Sequence, residues 1–285
     1  MITTQQQKII ESALSYVKDF KGSSILIKLG GSILDDPDLV KQLCDDLSLL
    51  RAAGIAIVIV HGGGKAINKA LTTYQMPSTF IDGLRITTKD MMDIIEMVLS
   101  GHVNKMLVRM LNAANVNALG FSGADNKLLQ CSYLNKQLGF VGNIEAINNS
   151  LIHTLLATQS NTDTGIIPVI SPVGIDAHGQ ALNINADWAA SHLACSLQFK
   201  KLIYLTDEPG IYDSNKNILS TLSINQLQAL IEEKTVSGGM LIKVKTIIHA
   251  LKNGIEHVHI INGKQKNTLI SELFTKQGIG TICTE

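Results

Sequence analysis

The chain has 285 residues, 45% of them hydrophobic, and its Lys and Arg residues balance its Asp and Glu residues at 24 each. This balance gives no overall field that would attract nucleic acid or an anionic membrane surface, so we expect neither as a partner. The length is ample for a large core, in one α/β domain or in two lobes.

The cysteines and the apolar pattern indicate the cellular compartment in which the protein is expected. The four cysteines are far apart and form no CxxC pair, which suits free thiols in a reducing compartment and excludes a Cys-rich zinc site. No apolar run approaches the roughly 18 residues of a membrane span. Charged and Gln residues interrupt residues 1–20, which do not read as a secretory signal. We therefore expect a cytoplasmic protein.

The first predicted element is an amphipathic helix over residues 5–20. Its apolar residues recur at helical spacing on one face: Ile9, Ile10, Ala13, Leu14, Val17 and Phe20. The pattern leaves two interpretations open, because such a face can pack on its own domain or on another subunit.

Strand and helix signals then alternate along the chain. Several strands are continuous Ile/Val/Leu runs, which is typical of strands buried on both faces. The predicted strands are Ser24–Leu29, Ile55–Val60, Ala118–Phe121, Ile166–Ile170, Lys201–Leu205 and His257–Ile261. The predicted helices are Asp38–Ala53, Lys65–Tyr74, Lys89–Asn115, Ala186–Leu197, Ile224–Glu233 and Met240–Asn253. This alternation predicts an α/β fold, a three-layer αβα sandwich with a mostly parallel central sheet, whose lobes share one continuous sheet.

The first two strands each run into glycines beside a lysine. Lys28 stands near the end of the first strand, before Gly30 and Gly31, and the second strand runs into Gly62, Gly63 and Gly64. Glycines let a backbone approach an anion closely, and the N–H groups at a helix start face it. The two turns predict a phosphate or carboxylate site at the C-terminal edge of the sheet.

Neither standard nucleotide signature occurs, because the chain contains no GxxxxGK[ST] and no GxGxxG. Two polar stretches, residues 130–143 and 174–185, read as hairpins or flaps. Both lie in the middle of the chain, where a substrate lid would be useful.

Four further features could complete a site. Arg85 follows Gly83 and could clamp a carboxylate with two hydrogen bonds. The others are the run Asn183-Ile184-Asn185-Ala186-Asp187, the loop Thr206-Asp207-Glu208-Pro209-Gly210, and the segment from Gly238 to Lys243. Each alone is also ordinary: a Gly-Gly pair is usually a turn, and an acidic residue in the first turn of a helix simply suits the helix dipole.

In combination and order, these motifs resemble the amino acid kinase family, and within it the acetylglutamate branch. The resemblance runs from about Tyr16 to Thr281. It rests on the Lys28-Leu29-Gly30-Gly31, His61-Gly62-Gly63-Gly64, Gly83-Leu84-Arg85, Gly139-Phe140-Val141-Gly142, Asn183-Ile184-Asn185-Ala186-Asp187, Leu205-Thr206-Asp207, Gly238-Gly239-Met240 and Gly278-Ile279-Gly280-Thr281 motifs, with Lys243.

The resemblance implies ATP-dependent phosphorylation of the γ-carboxylate of N-acetyl-L-glutamate, a step of arginine biosynthesis. It implies that Lys28 and Lys243 stabilise the transferring phosphoryl group and that Asp187 holds both lysines. Mg²⁺ would be held mainly by the ATP phosphates and water rather than by protein ligands.

The binding roles also follow from the resemblance. The residues expected to bind the acidic substrate are Gly63, Gly64, Arg85 and Asn183. The residues expected to bind phosphate are Gly30, Gly31 and Gly62. The nucleotide loop is expected to include Thr206, Asp207 and Gly210.

The resemblance further implies regulation by L-arginine and assembly into a homo-oligomer, a hexamer built as a trimer of dimers. The residues placed where such enzymes bind arginine are Tyr16, Lys201, His259, Glu272 and Gly278. It implies an oligomerisation helix over residues 1–23, a substrate-binding and dimerising lobe over 24–182, and an ATP-binding and regulatory lobe over 183–285. A nitrogen-signalling protein is a further possible partner.

Two alternative functions stay open. One is a kinase of the same fold acting on carbamate, aspartate, free glutamate or UMP, against which the motifs of Arg85 and Asn183 argue. The other is a non-catalytic arginine sensor, against which the presence of Lys28, Lys243 and Asp187 argues.

Overall fold

The computed structural model describes residues 3, 22–34, 36–160, 165–275 and 278–285. The predicted helix over residues 5–20, with Tyr16 and Phe20, lies outside the described residues. The choice between its two packing modes therefore stays a prediction.

An eight-stranded sheet forms the centre of the molecule. In pairing order its strands are β14 (Thr221–Ser223), β16 (Thr281–Thr284), β15 (His257–Asn262), β11 (Lys201–Thr206), β1 (Ser24–Leu29), β2 (Ala56–His61), β8 (Ile167–Ser171) and β5 (Ala118–Ser122). Neighbouring strands are parallel except β15 and β16. The sheet contains strands from both expected lobes, so the prediction of one continuous, mostly parallel sheet is confirmed.

Helices cover both faces of this sheet. They are α1 (Gly31–Leu34), α2 (Pro37–Ala52), α3 (Gly64–Thr73), α4 (Lys89–Glu96), α5 (Asn104–Ala113), α6 (Ser150–Thr158), α7 (Ala186–Ser196), α8 (Ile224–Glu232), α9 (Gly238–Lys252) and α10 (Thr268–Leu273). A π-helical segment, Met97–Val103, joins α4 to α5, so the single helix expected over Lys89–Asn115 changes its hydrogen-bond pattern midway.

Side chains of the central strand alternate between two apolar cores. Leu26 of β1 packs into the core formed with α7, α8 and α9, whereas Ile25 and Ile27 pack into the core formed with α2 and α5. Successive side chains of a strand point to opposite faces of the sheet. Alternate residues of β1 therefore contact the helices on either face, as a three-layer sandwich requires. All three side chains are fully buried, which explains the unbroken apolar run in the sequence.

Smaller sheets lie beside the central one. Strands β6 (Leu129–Tyr133), β7 (Gly142–Ile147), β9 (Val173–Ile175) and β10 (Ala181–Asn183) form a four-stranded sheet in the order β10-β9-β6-β7. Both expected hairpins are confirmed, because β6 pairs antiparallel with β7 and β9 with β10. Two-stranded sheets join β3 (Phe80–Ile81) to β4 (Leu84–Arg85) and β12 (Ile211–Tyr212) to β13 (Ile218–Leu219). Within the described ranges, no helix is both long enough and apolar enough to cross a membrane.

Gly120 lets α5 pack closely on the edge strand β5. A Cβ at this position would collide with the side chains of Asn104 and Val108. Gly101 in the π-helical segment is the matched comparison, because a Cβ there would meet nothing within 4 Å.

We expect Gly120→Ala to lower the free energy of unfolding by about 1–3 kcal/mol, the usual effect of overpacking. Gly101→Ala should leave it unchanged or raise it by up to about 1 kcal/mol, because alanine favours helical backbone more than glycine does. Urea unfolding of the three proteins measures both changes. Equal stability of the two variants would contradict this account of the β5–α5 contact.

Candidate active site

Asp187 joins two lysines from opposite parts of the chain. Lys28 Nζ lies 2.7 Å from Asp187 Oδ1, and Lys243 Nζ donates to Asp187 Oδ2 at 2.9 Å. Each carboxylate oxygen therefore pairs with one ammonium group. The structure brings together the three side chains to which the sequence assigned the chemistry.

Burial makes this cluster electrostatically strong. The side chains of Lys28, Lys243 and Asp187 are 12%, 8% and 10% exposed. Burial alone would raise the pKa of Asp187, but Lys243 and Lys28 outweigh it and hold the pKa well below its ordinary value. Burial lowers the pKa of Lys243, and Asp187 partly opposes that shift. Asp187 is therefore an anion, and the cluster carries a net positive charge toward whatever binds beside it.

Local sequence explains the position of Asp187. Asn185 caps helix α7, because its side chain accepts hydrogen bonds from the N–H groups of Asp187 and Trp188. Asp187 consequently lies in the first helical turn, where the helix dipole favours a carboxylate. Lys28 reaches it from β1, and Lys243 reaches it from the buried face of α9.

The two glycine turns lie against each other beside Lys28. A Cβ on Gly31 would lie 3.5 Å from the Gly64 nitrogen, and a Cβ on Gly63 would collide with Leu99 at 2.6 Å. Gly31 begins α1, and Gly63 caps α3, which begins at Gly64. A side chain on Gly63 would have to displace Leu99, and one on Gly31 would pack against the backbone of the second turn.

Two of the predicted phosphate-binding glycines need correction. Gly30 donates its N–H to the carbonyl of Leu205 at 2.7 Å, and Gly62 donates to the carbonyl of Leu29 at 2.9 Å. Gly30 thus pairs with β11 and Gly62 with β1, so these two N–H groups are already used between strand ends and do not point at an anion as predicted. Of the three glycines expected to bind phosphate, Gly31 keeps that role as a prediction, and Gly63 and Gly64 remain expected to bind the acidic substrate.

Arg85 is buried, and neutral side chains hold its guanidinium group. It donates to Asn68 Oδ1 at 2.6 Å and also to Ser78 Oγ, and it lies over the Phe80 ring at 4.6 Å. Burial lowers the pKa of Arg85. Among the described residues no carboxylate pairs with it, so it offers positive charge to a ligand. Asn68 and Ser78 were missed from the sequence, because no motif marks them.

The first of the two predicted flaps, residues 130–143, packs against the segment that carries Arg85. Thr87 donates its N–H to Leu138, and Phe140 donates its N–H to the Thr87 carbonyl at 2.8 Å. Asn183 donates from its side chain to Thr87 Oγ1 at 3.1 Å. Asn183 and Arg85 are thereby fixed on the wall of one cavity.

That cavity has a volume of about 240 Å³ and lies on the Lys28 side of Asp187. The predicted residues on its wall are Lys28, Gly31, Gly62, Gly63, Gly64, Arg85 and Asn183. Its positive groups and small size suit a compact acid.

A second cavity, of about 540 Å³, lies on the Lys243 side. Its wall includes Asp187, Thr206, Asp207, Gly239 and Lys243. Its size suits a nucleotide. A Cβ on Gly210 would collide with the Thr281 side chain, and the place of Gly210 in the nucleotide loop stays a prediction.

The expected regulatory residues also come together, apart from Tyr16, which lies outside the described residues. His259 Nδ1 lies 2.7 Å from Glu272 Oε1, and Glu272 also accepts the N–H of Ile279 at 2.7 Å. Gly278, at φ +59°, lies so close that a Cβ there would be 2.9 Å from Glu272 Oε2. Burial lowers the pKa of Lys201, with Glu256 and Glu272 opposing the shift. Lys201 starts the strand that ends at Thr206, so this cluster lies away from the cavities.

A buried histidine next to the second glycine turn was not predicted as functional. Asn104 Nδ2 lies 3.2 Å from His61 Nε2, and His61 Nδ1 lies 3.0 Å from the Gly62 carbonyl. If the amide donates to Nε2, the proton of the neutral ring is on Nδ1 and is donated to Gly62. Burial lowers the pKa of His61 to about 4. Among the described residues, no three His, Cys, Asp or Glu side chains cluster in a way that could hold a metal ion.

Known proteins match this chain over nearly its whole length. A model of the amino acid kinase family matches residues 23–262. Acetylglutamate kinase of Campylobacter curvus is 41% identical over 279 residues, which cover 98% of this chain and 97% of that protein. Acetylglutamate kinase of Aquifex aeolicus is 39% identical, with 98% of each chain covered.

A solved structure supports the fold. N-acetylglutamate synthase from Neisseria gonorrhoeae, complexed with coenzyme A and N-acetyl-glutamate, superposes with a TM-score of 0.86 at 24% identity. The match covers 98% of this chain but 63% of the synthase chain. At this identity the likeness concerns the fold alone.

His61 should make stability depend on pH. Its folded-state pKa of about 4 lies below the ordinary value of 6.5, so between these values the unfolded chain binds the proton more strongly. Stability should therefore fall as the pH drops from 6.5 toward 4, and the loss at pH 5 should be about 2 kcal/mol.

We expect His61→Gln to show a smaller drop in unfolding free energy between pH 7.5 and pH 5 than the unchanged protein. Burial raises the pKa of Asp46 to about 6, which acts in the opposite direction, but Asp46 is present in both proteins and cancels in the comparison. His153→Gln, at an exposed histidine, is the control. Equal drops in all three proteins would contradict the assignment.

Proposed function

The chain belongs to the amino acid kinase family, and we propose that it transfers the γ-phosphoryl group of ATP to the γ-carboxylate of N-acetyl-L-glutamate. The product is an acyl phosphate, formed in a step of arginine biosynthesis. One observation carries the proposal: Asp187 pairs with a lysine on the wall of each of two cavities. The two lysines therefore point to the place where an acid in one cavity would meet a triphosphate in the other.

The difficulty of this reaction is electrostatic. A carboxylate must approach a triphosphate, and both are anions. Phosphoryl transfer needs alignment and charge stabilisation more than covalent help from the protein. Lys28 and Lys243 supply two positive charges at a mostly buried position, where each acts more strongly than in water. Asp187 fixes both ammonium groups, so they need little reorganisation as the phosphoryl group moves.

The smaller cavity fits the acidic substrate. Arg85 is positioned by Asn68, Ser78 and Phe80 to bind the α-carboxylate. Asn183, held by Thr87, is placed to bind the polar groups near the α-carbon. The N–H groups of Gly63 and Gly64 would bind the reacting end. Fixing both ends of the acid orients its γ-carboxylate toward the lysines.

The larger cavity fits ATP. On its wall, Thr206 ends β11 and Asp207 follows it, and Gly239 and Met240 lie in the first turn of α9 on the other side. Backbone and polar side chains there would hold the nucleotide, with its triphosphate toward Lys243. Mg²⁺ would supply further charge neutralisation at the phosphates, held by them and by water.

Regulation and assembly extend the proposal. The cluster of His259, Glu272, Lys201 and Gly278 presents a buried carboxylate, which would bind the guanidinium group of L-arginine as a feedback inhibitor. Residues 1–23 would join subunits into a hexamer, with residues 24–182 and 183–285 as the substrate and nucleotide lobes. A nitrogen-signalling protein would be a further partner, and the enzyme would act in the cytoplasm.

The reaction is tested by trapping the acyl phosphate with hydroxylamine. The protein is incubated with ATP, Mg²⁺ and, separately, N-acetyl-L-glutamate, L-glutamate or L-aspartate, and the hydroxamate is measured by its colour. We expect hydroxamate from N-acetyl-L-glutamate alone. Product from another acid would make that acid the substrate and would leave the fold assignment unchanged. No product from folded protein would favour the non-catalytic sensor.

Replacing either lysine should slow turnover strongly through the loss of a charge. We expect Lys28→Met and Lys243→Met each to lower kcat by about a thousandfold, the scale seen when a group that stabilises developing charge is removed. Methionine keeps most of the side-chain volume. Lys252→Met, at an exposed position on the same helix as Lys243, should keep full activity. A lysine variant with unchanged kcat would contradict its assigned role.

Arginine inhibition should depend on the buried carboxylate of the regulatory cluster. We expect Glu272→Gln to raise the arginine concentration for half-inhibition by about tenfold or more, because a neutral amide binds a guanidinium group less strongly. Without arginine, its kcat should stay within about twofold of the unchanged protein. Glu233→Gln, at an exposed position, is the control. Full sensitivity of Glu272→Gln would place the inhibitor elsewhere.

A further inference from the structure

We propose that Tyr204 is a positioning residue for Lys243: its ring supports the lysine ammonium group, and its hydroxyl ties helices α7 and α9 together beneath the site. The inference rests on the proposed function, because it takes Lys243 to act on the phosphoryl group.

Tyr204 belongs to the central sheet, and its side chain packs in the core that the sheet forms with α7 and α9. It is a fully buried residue of β11, and its register partner on β1 is Lys28. Lys243 Nζ lies 4.7 Å from the centroid of its ring. A cation this close to an aromatic face is attracted by the ring's negative centre, and the attraction is larger when water is excluded. Lys243 is buried, so this contact belongs to the stronger class.

The hydroxyl of Tyr204 takes part in a short chain of hydrogen bonds. It donates to Thr246 Oγ1 at 2.9 Å, and Thr246 in turn donates to the main-chain carbonyl of Lys243 at 2.8 Å. The carbonyl of Asp187 lies 3.3 Å from the same hydroxyl. The phenol therefore contacts the backbone of α7 directly and that of α9 through Thr246. These are the helices that carry Asp187 and Lys243.

The two contacts restrict Lys243 at both ends. A lysine has a flexible four-carbon stem, and Asp187 alone fixes the position of its ammonium group without fixing the stem. The ring adds a second surface against the ammonium group, and the hydroxyl chain fixes the backbone from which the stem starts. The Tyr204 ring also affects the protonation of Lys243. The groups that face Lys243 are Asp187, Lys28 and Asp207, and the ring adds to the stabilisation that the two carboxylates give its charged form.

Two substitutions separate the ring from the hydroxyl. Tyr204→Phe keeps the ring and removes the hydrogen bonds, whereas Tyr204→Leu removes both. Relative to Tyr204→Phe, we expect Tyr204→Leu to lower kcat by about tenfold with little change in KM. The alkaline fall in kcat should also move about one pH unit lower, because Lys243 loses its proton more easily without the ring. A purely structural role would lower the melting temperature without moving this pH profile.

The result that would overturn the inference is a Tyr204→Leu variant with the kcat and alkaline profile of Tyr204→Phe. If the leucine variant does not fold, fluorinated phenylalanines at position 204 replace it, because fluorine weakens the ring's negative face at nearly constant volume. We expect kcat to decrease with each added fluorine. Constant kcat across the series would also overturn the inference.

A measurement without turnover separates this inference from the proposed function. The ¹³Cε resonance of Lys243 reports its protonation directly in the unchanged protein and in each variant. We expect it to titrate at lower pH in Tyr204→Leu than in Tyr204→Phe, whatever substrate the enzyme uses. Identical titration would reject the ring contact, while a failed hydroxylamine assay with shifted titration would reject only the substrate assignment.

Discussion

A single buried carboxylate that pairs with two lysines determines how this site is built. Removing Asp187, Lys28 and Lys243 from water carries a large desolvation penalty, which falls on each charge separately. The penalty is acceptable only if each charge has a close partner, and the 2.7 Å and 2.9 Å contacts provide this. The cluster has two positive charges and one negative charge, so it stays incomplete until an anion binds. The same electrostatics that hold the three side chains together therefore attract a transferring phosphoryl group.

The fold places the members of this cluster on separate elements that meet at one edge of the sheet. β1 delivers Lys28, the capped start of α7 delivers Asp187, and α9 delivers Lys243. Parallel strands bring their carboxyl ends to the same edge, and the glycine turns after β1 and β2 leave space there. Lys201, at the opposite end of β11 from Thr206, lies with the His259–Glu272 pair away from the cavities.

The sequence was sufficient to predict the elements that depend on local pattern. The buried runs of β1 and β11 and the start of α7 at Ala186 occur where predicted, because the patterns that mark them extend over a few neighbouring positions. Strands β14 and β16 were missed because three or four residues hold too little pattern, and β16 is stabilised by pairing with distant chain. Pairing between strands that are far apart in the sequence produces no pattern within a short stretch of residues.

The site likewise contains residues that the sequence could predict and neighbours that it could not. Motif order alone pointed to Lys28, Asp187 and Lys243, yet it could not show that Asn68 and Ser78 hold Arg85, or that Tyr204 lies under Lys243. Those neighbours come from other elements and are ordinary residue types there. Likewise, the sequence could not show that the N–H groups of Gly30 and Gly62 donate to carbonyls of neighbouring strands. Which polar groups are available to a ligand depends on three-dimensional hydrogen bonding, and a motif lists only the candidates.

The most direct measurement is a crystal structure with ADP, Mg²⁺, N-acetyl-L-glutamate and aluminium fluoride, which mimics the phosphoryl group in transfer. The account predicts that the Nζ atoms of Lys28 and Lys243 both lie within hydrogen-bond distance of the fluoride atoms, while Asp187 still contacts both lysines. N-acetyl-L-glutamate would lie in the Arg85 cavity and ADP in the Thr206 cavity. A complex in which either lysine turns away from the aluminium fluoride, or in which the two ligands occupy other places, would contradict the central claim.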